Sequence, residues 1–217
     1  PTDSLRWGEG MTRIYDCLSH DFVYHDLSKM MIFAGNHDTD RIGDVVRKNP
    51  ERMKIVLTML ATMRGIPQVF AGDEMMFTSK DLSQGHGGLR VDFPGGWAGD
   101  KTDLFSAEGR TGLEKELFDH AQRLFQWRKG KTVLHNGRTM HFLSRDNTYA
   151  YFRYDDTDAV FVFINNSRGK KQVPWSHYAE IATGLHDGRN VLTGEAAEVS
   201  DATVVGPRQA LVVEFKR

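Results

Sequence analysis

The chain has 217 residues, 28 basic against 29 acidic side chains, and a formal net charge of −1. Nothing in that balance points to nucleic acid or an anionic membrane surface as a partner. No apolar run reaches the roughly 20 residues that span a bilayer, and a lone cysteine, Cys17, excludes an internal disulfide.

Met11, Ile14, Tyr15, Leu18 and Phe22 recur at helical spacing after Gly10. They predict an amphipathic helix, with Cys17 in its core rather than in catalysis. Met31-Ile32-Phe33-Ala34 is then an unbroken apolar run. Such a run suits a strand covered on both faces, as in a parallel sheet. Gly35 permits close backbone approach, and Asn36-His37-Asp38 emerges where the strand stops. In parallel α/β folds chemistry sits at the C-terminal ends of strands. A carboxylate beside an imidazole there is a candidate for work on a polar substrate. The plainer reading is that Asn-His-Asp caps the helix that follows.

Asn49 and Pro50 mark a helix start, and Met53, Val56, Leu57, Leu60, Ala61 and Arg64 recur behind them. Gly65 stops that helix, and Ile66-Pro67-Gln68-Val69-Phe70-Ala71-Gly72-Asp73-Glu74 reads as a second short strand ending on glycine and acid. The order strand–helix–strand implies two parallel strands. A glycine-rich loop runs from about Met75 to Gly112, of a length that is usually functional or mobile. Leu117, Ala121, Leu124, Phe125 and Arg128 mark a last helix that stops near Gly130. Near residue 131 the period changes. Tyr149 to Tyr154 and Ala159 to Ile164 are aromatic and β-branched strands around an Asp-rich turn. Val191-Leu192, Thr203 to Val205 and Ala210 to Phe215 are further strand candidates.

Two of these segments carry a family resemblance. Phe33 to Arg41, FAGNHDTDR, resembles the motif after the seventh barrel strand of the alpha-amylase clan of glycoside hydrolases. GIPQVFAGDE resembles that clan's eighth strand and its exit. The HDTDR variant and Gly88-Leu89-Arg90-Val91-Asp92-Phe93-Pro94-Gly95-Gly96 look most like neopullulanases and cyclomaltodextrinases. The resemblance implies an α/β plus all-β chain. Residues 1–131 would be the C-terminal portion of a (β/α)8 TIM barrel, from the sixth helix to the eighth, and residues 132–217 an antiparallel β-sandwich domain. It implies retaining hydrolysis of α-glucosidic bonds in starch, pullulan or cyclodextrin. The aspartate nucleophile and glutamate acid/base would lie in an N-terminal half of the barrel that this chain does not match.

The resemblance also implies roles for residues. Asp38 is similar to the clan's third acid, holding hydroxyls of a distorted sugar ring and stabilising a positively charged transition state, with His37 donating to the same hydroxyls. Asn36, Arg41, Arg90 and Asp92 are the substrate-side candidates. Asn36 could equally shape the turn, Arg41 fix Asp38 or pair with Asp44, and Arg90 and Asp92 form a solvated loop pair. Asp73 and Glu74 are read as support for the catalytic cluster or as a helix cap. Adjacent on an extended segment, their side chains would point apart, so they cannot serve as nucleophile and acid. Phe93 and Trp97 could stack on sugar faces. The histidines, His86 among them, show no zinc spacing. No cofactor or metal is expected in this stretch, calcium being bound in many clan members usually by other parts.

The partners expected are an alpha-glucan oligosaccharide or polysaccharide, the missing half of the barrel, and a second copy at the exposed strand edge beside Met31 to Ala34. The compartment, bacterial periplasm or cytoplasm, stays open. Two other readings stand beside hydrolysis. One is a non-catalytic carbohydrate-binding or scaffolding module with Trp175 and Tyr178 as an aromatic platform. The other is a transglycosylase or isomerase of the same clan.

Overall fold

The computed structural model describes residues 9–200 and 202–217. The chain forms two compact units, one from Pro1–Met30, Thr62–Ile66 and Leu124–Arg217, the other from Met31–Ala61 and Pro67–Arg123. In chain order the helices and strands are α1 (Thr12–Ser19), β1 (Met31–Phe33), α2 (Ile42–Val45), α3 (Pro50–Thr62), β2 (Ile66–Gln68), α4 (Gly112–Lys129), α5 (Thr132–Asn136), β3 (Arg138–His141), β4 (Thr148–Tyr154), β5 (Asp158–Asn165), β6 (Lys171–Gln172), α6 (Ala179–Ala182), β7 (His186–Asn190), β8 (Val204–Val205) and β9 (Gln209–Lys216). Among the described residues no helix is long and apolar enough to cross a membrane.

The second unit begins with β1, which pairs with β2 in a two-stranded sheet. Met31, Phe33 and Ile66 are exposed, which corrects the expectation of a strand covered on both faces. Two strands of three residues each shield neither face. The helix between them follows its start signal. Asn49 Oδ1 accepts from the Arg52 N–H at 2.9 Å, and Pro50 opens α3 where a missing N–H leaves nothing unpaired. Its burial is wider than one face, because Ile55 and Met59 are buried along with Met53, Val56, Leu57, Leu60 and Ala61. Buried nearly all round, α3 is a core helix rather than a surface one.

The first unit holds α1 and the antiparallel sheet. Met11 and Leu18 are buried along α1. Two expectations fail here. Cys17 is exposed, one step off the Met11–Leu18 stripe. Phe22 lies beyond the helix in a 3₁₀ turn, Asp21–Val23, and is exposed. The helix stops early because Ser19 Oγ, at 2.7 Å, and His20 Nδ1, at 2.7 Å, both bond the Asp16 carbonyl. Such local side-chain bonds compete with the helical ladder.

The large sheet has the order β3-β4-β5-β9-β7, and its paired strands are antiparallel. The β4–β5 hairpin turns on Asp155, whose Oδ1 accepts from the N–H groups of Thr157 and Asp158, each at 2.9 Å. Register sets Phe152 opposite Phe161 and Phe161 opposite Val213. One face of the sheet packs Phe152, Phe161, Phe163 and Phe215 against Val173, Trp175, Tyr178 and Ile181. Trp175 lies 4.5 Å from Phe161, centroid to centroid. Trp175 and Tyr178 are therefore core residues, and the sheet shows no platform built from them. Val191-Leu192 is not a strand, since Asn190 Oδ1 accepts from the Leu192 N–H at 2.9 Å and turns the chain.

Phe161→Ala is expected to destabilise the protein by roughly 3–5 kcal/mol, the range for truncating a large buried aromatic. Phe22→Ser should stay within about 0.5 kcal/mol, as for exposed positions. Urea unfolding followed by circular dichroism checks both.

Candidate functional site

The turn after β1 builds the site. Asn36 Oδ1 accepts from the Asp38 N–H at 2.9 Å, and Thr39 Oγ1 accepts from the Asn36 N–H at 2.8 Å. Asn36 thus closes a tight Asx-type turn. That turn presents the Asp38 carboxylate, whose side chain is 54% exposed, to three nitrogen groups. His37 Nε2 lies 3.1 Å from Oδ2. Arg90 Nη2 donates to Oδ1 at 3.1 Å, and His86 Nδ1 lies 3.4 Å from the same oxygen. Partial desolvation pushes the Asp38 carboxyl up, but the His86 hydrogen bond, the charge of His37 and the Arg90 guanidinium together hold it below the ordinary carboxylate range.

Arg41 stands elsewhere than expected. It is 1% exposed and does not pair with Asp44. Its Nη1 donates to the Asp73 carboxylate at 3.1 Å and to the Ala71 carbonyl at 2.7 Å, and its Nε donates to the Leu89 carbonyl at 2.9 Å. Its guanidinium carbon lies 3.8 Å over the Phe70 ring. Asp44 instead accepts from the Ser79 N–H and hydroxyl, at 2.8 and 2.6 Å. Arg41 is therefore placed to hold the loops around Asp38 rather than at the exposed carboxylate itself.

Asp73 and Glu74 lie in a 3₁₀ turn, Asp73–Met75, not on an extended segment, which corrects the expected backbone. Gly72 precedes them at φ +92°, and a Cβ there would meet the Phe77 ring at 2.1 Å. Only glycine fits that conformation and that space. Glu74 Oε2 accepts from the Gly72 N–H at 2.9 Å, capping the turn. Asp73 is buried against Arg41. Burial pushes its carboxyl up to about 6, while the hydrogen bond and charge of Arg41 pull it down.

Arg90 joins Asp38, whereas Asp92 is exposed with no hydrogen-bond or ion-pair partner among the described residues. Phe93 packs between Phe77 and Phe105, with centroids 5.5 and 4.4 Å away. Trp97 is 81% exposed. His86 is the member that spacing could not reveal, since 48 residues separate it from Asp38. Among the described residues no group of three or more His, Cys, Asp or Glu could hold a metal ion. The arrangement offers one ionised, accessible carboxylate ringed by N–H donors. Carboxylate accepting and imidazole and guanidinium donating is the pattern that grips vicinal hydroxyls.

Asp73 makes stability depend on pH. Its folded value lies near 6 against an ordinary 3.8. Between those values the folded protein keeps a proton that the unfolded chain has released. Stability therefore falls as pH rises through that window, by on the order of 3 kcal/mol in all. Asp73→Asn, which keeps an acceptor for Arg41, should flatten the slope between pH 4 and 6 in chemical denaturation, while a slope equal to wild type would contradict this account.

The chain is similar to known proteins over most of its length. The alpha amylase, catalytic domain family matches residues 12–168, and the cyclo-malto-dextrinase C-terminal domain matches residues 139–214. A cyclomaltodextrinase of Geobacillus thermopakistaniensis is 26% identical over 184 residues, covering 82% of this chain and 28% of that protein. A cyclomaltodextrin glucanotransferase of Geobacillus stearothermophilus is 23% identical over 193 residues, covering 85% of this chain and 24% of that protein. The crystal structure of an alpha-amylase from Geobacillus thermoleovorans, complexed with acarbose, superposes with a TM-score of 0.73 at 19% identity, covering 98% of this chain and 44% of that one. The chain thus spans about a quarter of these curated relatives and under half of the solved structure. The fold is part of a (β/α)8 barrel followed by an antiparallel β domain. With its catalytic-domain match running over most of its length, the chain belongs to the alpha amylase, catalytic domain family.

Proposed function

We propose that this chain supplies the transition-state-stabilising acid and its neighbours to an α-glucan-acting, retaining glycoside hydrolase. One observation carries the reading. The Asp38 carboxylate is kept ionised by its neighbours and yet stays open to solvent. In glycoside hydrolysis the sugar ring passes through an oxocarbenium-like state. A fixed negative charge beside it is worth most when that positive charge develops. In this reading Asp38 accepts from ring hydroxyls, and His37 and Arg90 donate to them. Arg41, Asp73 and Glu74 hold the loops in place. Membership of the family and the similarity to a cyclomaltodextrinase support an α-glucan such as starch, pullulan or cyclodextrin as substrate.

Retaining chemistry needs a second and a third player, a nucleophile and an acid/base, roughly 5–5.5 Å apart. The proposal assigns both to residues outside these 217. Asp73 is committed to Arg41 and Glu74 to its own turn, so neither is placed to act on substrate. Transglycosylation is the second reading, favoured by the similarity to a cyclomaltodextrin glucanotransferase. The same Asp38 serves either outcome, because water and a sugar hydroxyl attack the glycosyl-enzyme through the same kind of oxocarbenium-like state. A carbohydrate-binding scaffold is less well supported, since Trp175 and Tyr178 lie in the core.

In the full-length enzyme, Asp38→Asn should lower kcat by at least roughly 100-fold, the scale of losing one electrostatic contact to a transition state, while leaving the melting temperature unchanged. Turnover of cyclodextrin within about twofold of wild type would sink the assignment. Chromatography of the products separates linear maltooligosaccharides from cyclic or transferred ones. The 217-residue chain by itself should release no reducing ends from amylose, pullulan or cyclodextrin above a blank. Release above that blank would place the missing catalytic groups inside it.

A further inference from the structure

The antiparallel sheet buries a guanidinium that the proposed chemistry does not use. Arg153 lies on β4, opposite Val160 of β5, and is 1% exposed. Its Nη2 donates to the carbonyls of Gly137 at 2.7 Å and Val133 at 3.4 Å. Its Nε and Nη1 are buried and have no hydrogen-bond partner among the described residues. Buried donors are nearly always paired, and one without a protein partner points to a water or ion.

Charge decides between the two. Arg128 is buried nearby, and its Nη2 bonds the Leu134 carbonyl, next in sequence to one of the carbonyls that Arg153 uses. Arg64 already pairs with Asp21. Among the described residues the groups that act on Arg153 are Arg128, Arg64 and Tyr151, with no carboxylate among them. Tyr151 is no counterion, since burial raises its hydroxyl far above neutrality and Thr62 Oγ1 lies 2.5 Å from it. Burial and the charge of Arg128 lower Arg153 only to about 10, so it stays a cation at neutral pH. Carbonyls at the C-terminal end of α5 offset part of that charge. A water would satisfy the two N–H groups but leave the charge uncompensated, which is the costly condition for a buried ion.

We infer that a small inorganic anion of the halide class is held inside the antiparallel β domain, accepting from Nε and Nη1 of Arg153. The inference does not depend on the glucan reading, since it concerns residues remote in sequence from Asp38.

The test follows the melting temperature of the purified protein as sodium chloride replaces sodium gluconate at constant ionic strength. A saturable rise is expected in wild type. The rise should persist in Arg138→Met, whose exposed guanidinium pairs with Asp156 at the surface, and vanish in Arg153→Met. A melting temperature indifferent to chloride, or a rise that survives in Arg153→Met, overturns the proposal. Should Arg153→Met fail to fold, crystals of wild type grown in sodium bromide decide the matter. A bromide anomalous peak within hydrogen-bond distance of Nε and Nη1 supports the site, and its absence there overturns it.

Discussion

The buried guanidinium of Arg41 is the constraint on which the candidate site depends. It joins three stretches by bonding Asp73 and the Ala71 carbonyl on one side and the Leu89 carbonyl on the other. Phe70 packs beneath its plane. A lysine could not replace it, because a compact ammonium lacks the planar fork that reaches several acceptors at fixed angles. Asp38 lies three positions before Arg41, and Arg90 follows Leu89 directly. The exposed Asp38–Arg90 contact therefore inherits its geometry from a residue that solvent never meets. An exposed ion pair is worth only about 0–1 kcal/mol, too little to hold two loops together by itself. The buried pair does the holding, and the exposed pair is left free to exchange its partners for a ligand's hydroxyls.

This division explains what could be read from the amino-acid sequence and what could not. α3 was legible because its signals are local, with Asn49 and Pro50 at one end and Gly65 at the other. The β4–β5 hairpin was legible because aromatic and β-branched runs flank an Asp-rich turn. His37 and Asp38 stood out through a motif, not through spacing. Arg41 with Asp73 and His86 with Asp38 were not legible, because 32 and 48 residues separate the partners. Such pairings depend on the path of a loop, and no periodicity records that path. For the same reason the sequence offers Arg41 only as a contact to Asp38 or a sugar, or as a partner of Asp44. The misplaced Phe22 has a smaller cause, since two side-chain bonds to one carbonyl ended α1 a turn early, and Cys17 lies inside α1 but one step off its buried stripe.

Aromatic residues divide along the same line between packing and recognition. In the β domain, Trp175 and Tyr178 pack with Phe152 and Phe161 and serve the core. In the loop after β2, Phe93 is stacked between two other phenylalanines. Trp97, four positions on, is held outward, its backbone N–H donating to Asp100 Oδ2 at 3.0 Å. An indole kept in water by a backbone anchored in this way has apolar area to offer a flat partner. Residue type alone never separates these cases. What separates them is whether the neighbouring backbone turns the ring toward the core or away from it.

Arg41 and Arg153 then show two solutions to one physical problem. Both guanidiniums are 1% exposed, and both donate to main-chain carbonyls. Arg41 also has a carboxylate, an aromatic face and a bond from each side of its fork, so charge and hydrogen bonding are met by the same neighbours. Its partner Asp73 bears part of the strain, its carboxyl pushed up by burial and drawn back by Arg41. Among the described residues Arg153 has carbonyls alone, and those reach one of its three nitrogens. A carbonyl supplies a lone pair but no net charge, so it can complete a hydrogen bond without balancing an ion. Placed between β4 and α5, Arg153 is closed off from the screening that relieves an exposed arginine. Arg41 draws its counter-charge from Asp73, whereas no carboxylate among the described residues supplies one to Arg153.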